Sequence, residues 1–143
     1  MTRASAGRSL ARMRIELTLL GATLVLALVN IFAAGRARTA QYGTKWNVGA
    51  RDGEMPPLNP LAGRLSRAQA NLYETLPIFA AAILACAVAG RFDMKTVIGA
   101  HLYFFGRLIY LPLYAAGVPV VRTLVWTIAT FGLVLILWAL LFG

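Results

Sequence analysis

Four long apolar stretches account for most of this 143-residue chain and leave it few ways to fold. A membrane-spanning helix needs about 20 mostly apolar residues, so four would take up about 80 positions. The first stretch runs from about Leu17 to Ala34 and carries no charge between Glu16 and Arg36. The second opens at Asn59-Pro60, a capping side chain followed by the proline tolerated at a first helical position, and reaches Ala89 before Gly90. The third follows Asp93, a suitable N-cap, and ends near Ala116 before Gly117. The fourth begins near Pro119 and is free of charge from Thr123 onward. None alternates in polarity as the strands of a membrane barrel do.

The expectation is an all-α membrane protein, one four-helix domain over residues 1–143. Its helices are expected at about 14–34, 60–89, 94–116 and 118–142, with a polar loop at 35–59. Composition supports this. Hydrophobic residues make up 59% and charged residues 13%, against about 45–50% and about 25% in soluble domains. So few charges could not cover so much apolar surface in water. A soluble enzyme, a disordered chain and a disulfide-stapled domain are thereby excluded, the last because Cys86 is the only cysteine. The arginines at 3, 8, 12 and 14 resemble the start of a secretory signal. The apolar run behind them exceeds the usual 7–15 residues, so it is read as a retained helix.

Four spans put both termini and the Gly90–Asp93 turn on one membrane face, and the 35–59 loop on the other. Six basic residues then lie near the first face and seven near the second, too even a split to set orientation. The net charge of +9 comes from arginines that flank or enter apolar spans. That placement argues for anionic head groups or an anionic ligand, and against nucleic acid, which wants a solvated basic face.

Ionisable residues inside the spans are the functional signal, because a charge at mid-bilayer costs at least about 2.5–3.5 kcal/mol. Arg67, Asn71 and Glu74 share one stripe of the second helix, at i, i+4 and i+7. Tyr103, Arg107, Tyr110 and Tyr114 share a stripe of the third, and Arg122 lies early in the fourth. Up-and-down connectivity gathers these residues in one half of the membrane, with Arg36 and Arg38 at the end of the first helix. Glu74 is the only carboxylate among them. An Arg67–Glu74 ion pair is one structural reading, and Arg122 could instead extend to head groups. The surplus of guanidinium groups favours an anionic ligand bearing carboxylate, thiolate or phosphate. No metal site is expected, since His101 is alone. With no nucleophile of its own in a catalytic setting, the chain would need a ligand to supply one.

The segment Arg67-Ala-Gln-Ala-Asn71-Leu-Tyr-Glu74-Thr-Leu-Pro77-Ile-Phe79 resembles the helix-2 signature of the MAPEG family, membrane-associated proteins of eicosanoid and glutathione metabolism. The spacing is most similar to the leukotriene C synthase and microsomal glutathione transferase branch. Phe105-Gly-Arg107-Leu-Ile-Tyr110 and Tyr114 resemble its helix-3 pattern. The resemblance implies a homotrimer with glutathione as co-substrate, bound between subunits in a site open to the cytoplasm. It implies that Arg64, Arg67, Gln69, Asn71 and Glu74 bind the peptide. Tyr110 and Tyr114 would close the site, Arg107 would line it, and Arg36 or Arg38 would approach from the first helix. Arg122 would be the catalytic arginine that holds the thiolate. Gly63 and Thr75 depart from the branch, which often has an acid before Arg64 and can have a tyrosine after Glu74. The implied reaction is thiolate attack on a lipophilic electrophile or reduction of a hydroperoxide. Two alternatives are a non-catalytic lipid-binding or scaffold protein of the same fold and a small transporter subunit.

Overall fold

A computed structural model describes residues 14–143. The described chain consists of α1 (Ile15–Tyr42), α2 (Thr44–Val48), α3 (Pro60–Ala89), α4 (Met94–Ala116) and α5 (Pro119–Phe142). Four of these helices are long and apolar enough to cross a membrane. The protein is therefore an integral, multi-pass, all-α membrane protein.

The helix ends follow the local chemistry. Asn59 accepts a hydrogen bond from the Ala62 amide at 2.9 Å and starts α3 ahead of Pro60. Gly90 ends that helix in the left-handed region, at φ 67°. Asp93 accepts from the Lys95 and Thr96 amides, while Thr96 Oγ1 accepts from the Asp93 amide, a closed capping box for α4. Gly117, at φ 78°, ends α4.

The first helix departs from expectation. It does not stop near Ala34 but continues through Gly35 and Thr39 to Tyr42, so residues 35–42 are helix rather than loop. Hydropathy falls at Arg36, yet Arg, Ala and Gln remain good helix formers, and termination waits for Gly43 at φ 87°. At about 1.5 Å per residue α1 is about 42 Å long, well beyond a hydrocarbon core of about 30 Å. Its projecting end clasps the chain that leads into α3. Gln41 Nε2 donates to the Pro57 carbonyl, Gln41 Oε1 accepts from the Asn59 amide, and the Tyr42 hydroxyl donates to the Pro56 carbonyl.

Helices α4 and α5 make the closest approach. A Cβ on Gly99 would sit 2.4 Å from the Gly132 carbonyl oxygen, and one on Gly132 would sit 2.6 Å from that of Gly99. A Cβ on Gly106 would sit 2.8 Å from the Ala129 Cβ. Small residues let the two backbones touch, as in other membrane helix pairs. Phe79 of α3 stacks on Tyr103 of α4 with centroids 4.0 Å apart, and both are fully buried. At the membrane face opposite the arginine-rich half, buried Glu16 accepts from the Thr96 hydroxyl at 2.7 Å, and Arg91 donates to the Leu140 carbonyl.

Gly99→Ala should therefore lower thermal stability in detergent by about 1–3 kcal/mol despite alanine's better helix propensity. Gly21→Ala, where a Cβ meets nothing within 4 Å, should be neutral or stabilising. Asp93→Ala should cost about 1 kcal/mol through loss of the cap. The Lys95 ammonium beside it holds the Asp93 carboxyl below its usual range. The stabilisation from this carboxylate is thus complete above an unfolded pKa of about 3.9 and is lost as pH falls through the lower folded value. Thermal melts across an acid series, with Asp93→Asn as reference, would reveal it.

Candidate functional site: a donor-rich cleft between α3, α4 and α5

Because α3 and α4 run antiparallel, each residue down one stripe meets a residue up the other. Arg107 of α4 is 2% exposed and points across to α3. Its two terminal nitrogens donate to Asn71 Oδ1 at 2.7 Å and to Thr75 Oγ1 at 2.6 Å. Thr75 Oγ1 also lies 2.9 Å from the Tyr103 hydroxyl. Asn71 Nδ2 donates onward to Glu74 Oε2 at 3.4 Å. The Arg107 guanidinium carbon stands 5.4 Å and 5.5 Å from the Tyr103 and Tyr110 ring centroids. Aromatic faces and neutral oxygens thus take the place of a carboxylate around this buried cation.

Above this network lies a small cleft of about 130 Å³, lined by Asn71, Tyr110, Arg122, Thr123 and Trp126. Amide, phenol, guanidinium and indole groups converge there, and none of the lining residues is acidic. The Arg122 guanidinium rests 4.3 Å from the Tyr114 ring centroid, and Tyr114 meets Tyr110 edge to face. Arg122 forms no ion pair among the described residues, where Lys95–Asp93 is the only one. The same arginine and Thr123 also line a separate, mostly apolar groove with Pro119, Val120, Leu124 and Thr127, about 490 Å³ in volume. Arg122 therefore stands between a polar recess and a surface open to lipid.

Of the residues marked out in the sequence, one chain brings Asn71, Glu74, Arg107, Tyr110, Tyr114 and Arg122 together. Arg67 is on the same stripe but is exposed, with its guanidinium folded back beside Gly63. It makes no ion pair with Glu74, which is also exposed, so the buried-pair reading fails. Seven residues separate the two by about 10 Å along the axis. Arg64 donates to the Ala115 carbonyl at 3.3 Å and packs against Gly117, holding the end of α4. Gln69 is two residues from Asn71, hence about 200° around the helix and off the cleft stripe. Arg36 and Arg38 likewise point to different sides of α1. Arg38 is half-buried, whereas Arg36 is exposed in an outer groove with Phe32, Thr39 and Asn47.

Thr75, Thr123 and Trp126 were not singled out as site residues from the sequence. Thr75 follows Asn71 by four residues and Trp126 follows Arg122 by four, so helical spacing did contain the signal.

A model of the MAPEG family matches residues 19–142, which take in α1 from its second turn, the other three spans entire and every residue of the cleft. The chain belongs to the MAPEG family. No curated protein and no solved structure matches it. Membership in this family fits a glutathione-related role in the membrane.

Thr75→Val keeps the shape of the side chain but leaves an Arg107 N–H and the Tyr103 hydroxyl without a buried partner. It should lower stability by about 1–3 kcal/mol, whereas Thr75→Ser should retain most of it. Paired thermal melts in one detergent would measure the difference.

Proposed function

We propose that this MAPEG protein is a glutathione-dependent transferase or peroxidase, akin to the leukotriene C synthase and microsomal glutathione transferase branch. The observation that carries this reading is the position of Arg122, shared between the donor-rich cleft and the apolar groove. Glutathione is an anionic peptide with a thiol, and a cleft of amide, phenol, indole and guanidinium donors suits it. A free thiol has a pKa of about 8.5 and is mostly protonated at neutral pH; an adjacent guanidinium stabilises the thiolate. With the thiolate beside Arg122, a lipophilic electrophile lodged among Val120, Leu124 and Thr127 would lie within reach of sulfur. In conjugation the S–C bond forms as the leaving group departs or an epoxide ring opens. In hydroperoxide reduction, sulfur takes the distal oxygen, and a second glutathione completes the disulfide, releasing water and the alcohol.

We also propose that the working form is a homotrimer with sites between subunits, open to the cytoplasm. A cleft of about 130 Å³ in one chain is small beside ligand pockets of about 300–1,000 Å³. Gln69 lies off the cleft stripe of α3, and Arg36 is on α1, which lines no part of the cleft, so both suit contact with a ligand held by a neighbour. Exposed Arg67 and Glu74 on a membrane-spanning helix also call for a covering partner. Arg64 then serves the fold as well as the site's edge, and Arg38 is the lesser of the two arginines on α1.

Purified protein in detergent should bind glutathione and conjugate a chlorinated nitroaromatic electrophile. Arg122→Ala should retain glutathione but lose the thiolate absorbance, with kcat lower by about 100-fold. A folded wild-type protein with neither binding nor turnover would remove the enzyme reading. Native mass spectrometry should give a particle of three chains.

A further inference from the structure

Arg107 reads from the sequence as a ligand contact, yet the geometry points to a different task. A guanidinium has only donors, and a carboxylate under ordinary conditions only accepts. Asn71 lies between one of each. Arg107 can be satisfied only by the amide oxygen, at 2.7 Å, and Glu74 only by the amide nitrogen, at 3.4 Å. Both neighbours therefore demand the same orientation of an amide that could otherwise flip. We infer that Arg107 is a positioning residue that locks the Asn71 amide, so that Asn71 meets the cleft only as a hydrogen-bond donor.

Thr75 belongs to the same device. Its hydroxyl oxygen accepts from the second Arg107 nitrogen, so its one proton is left for Tyr103 or the Leu72 carbonyl. Tyr103 is itself held by stacking on Phe79. The guanidinium is thus fixed at two points of α3 one turn apart, rather than pivoting about one. A rotating amide would offer a ligand either a donor or an acceptor at this position. The locked amide offers only N–H, and selects a ligand group with lone pairs, such as a carboxylate or carbonyl oxygen. This selectivity rests on the glutathione reading for the identity of the ligand, while the locking itself does not.

The test uses the full-length protein with nitrogen-15 at asparagine only, which gives four side-chain amide pairs: Asn30, Asn47, Asn59 and Asn71. Arg107→Lys retains the charge but not the two-point fork. Without any ligand, it should shift the Asn71 amide pair and speed its proton exchange, leaving the other three pairs in place. An unchanged Asn71 signal would overturn the inference, whatever glutathione does. With glutathione, Asn71→Asp and Arg107→Lys should each weaken affinity about 10-fold or more. The double variant should be no weaker than Asn71→Asp alone, because Arg107 acts through Asn71. Losses that multiply would mean that Arg107 touches the ligand itself, and would also overturn it. Thermal melts confirm that each variant is folded, and kcat at saturating glutathione should change far less than affinity. A ligand-free Asn71 shift in a protein that ignores glutathione would remove the glutathione reading and leave the positioning role standing.

Discussion

A single buried cation organises the arginine-rich half of this bundle. Among the described residues Arg107 has no ion-pairing carboxylate, and it is nevertheless almost wholly enclosed. In a membrane span such a group is tolerated only where neighbouring atoms replace water. The Asn71 and Thr75 side-chain oxygens accept from its two terminal nitrogens, and two tyrosine rings face it. Meeting that demand fixes the rotation of α3 against α4. The same rotation brings Asn71 beside Tyr110 and Arg122 in the cleft.

The rest of the fold divides into contacts that set position and contacts that set approach. Arg64 and Arg91 spend their charge on helix-end carbonyls, at Ala115 and Leu140, on opposite faces of the membrane. Glu16 ties the start of α1 to the capping box of α4 through Thr96. The projecting end of α1 takes hold of residues 56–59 and so directs the chain into α3. These contacts leave Arg122 as the cation in the cleft that no other residue's structure claims.

The sequence disclosed the spans because apolar length is itself the constraint a bilayer imposes, and the caps because Asn59, Asp93, Gly90 and Gly117 act locally. The end of α1 was not legible in the same way. Hydropathy marks where a helix leaves the hydrocarbon, whereas Gly43 marks where it ends, and here these differ by two turns. Helical spacing groups Asn71, Arg107, Tyr110 and Arg122, and the structure places these four near one another. It could not separate Arg64 and Arg107, two arginines on charge-poor helices, into one that holds a backbone end and one that sits in a side-chain network. A helical wheel gives the direction of a Cβ, and the partner of a long side chain depends on the neighbouring helix. Glu16 illustrates the same limit: its acceptor role depends on Thr96, 80 residues away.

The contact between Gly99 and Gly132 has a mechanical consequence for the cleft. Where two backbones already touch, α4 and α5 have no room to draw closer and behave as one stiff wall that carries Arg107, Tyr110 and Arg122. The opposite side of the cleft is formed by Asn71 of α3. That helix is anchored at its start by the Gln41 clasp, midway by the Arg107 fork and beyond it by buried Phe79, Ile83 and Cys86, so the cleft is braced on both sides.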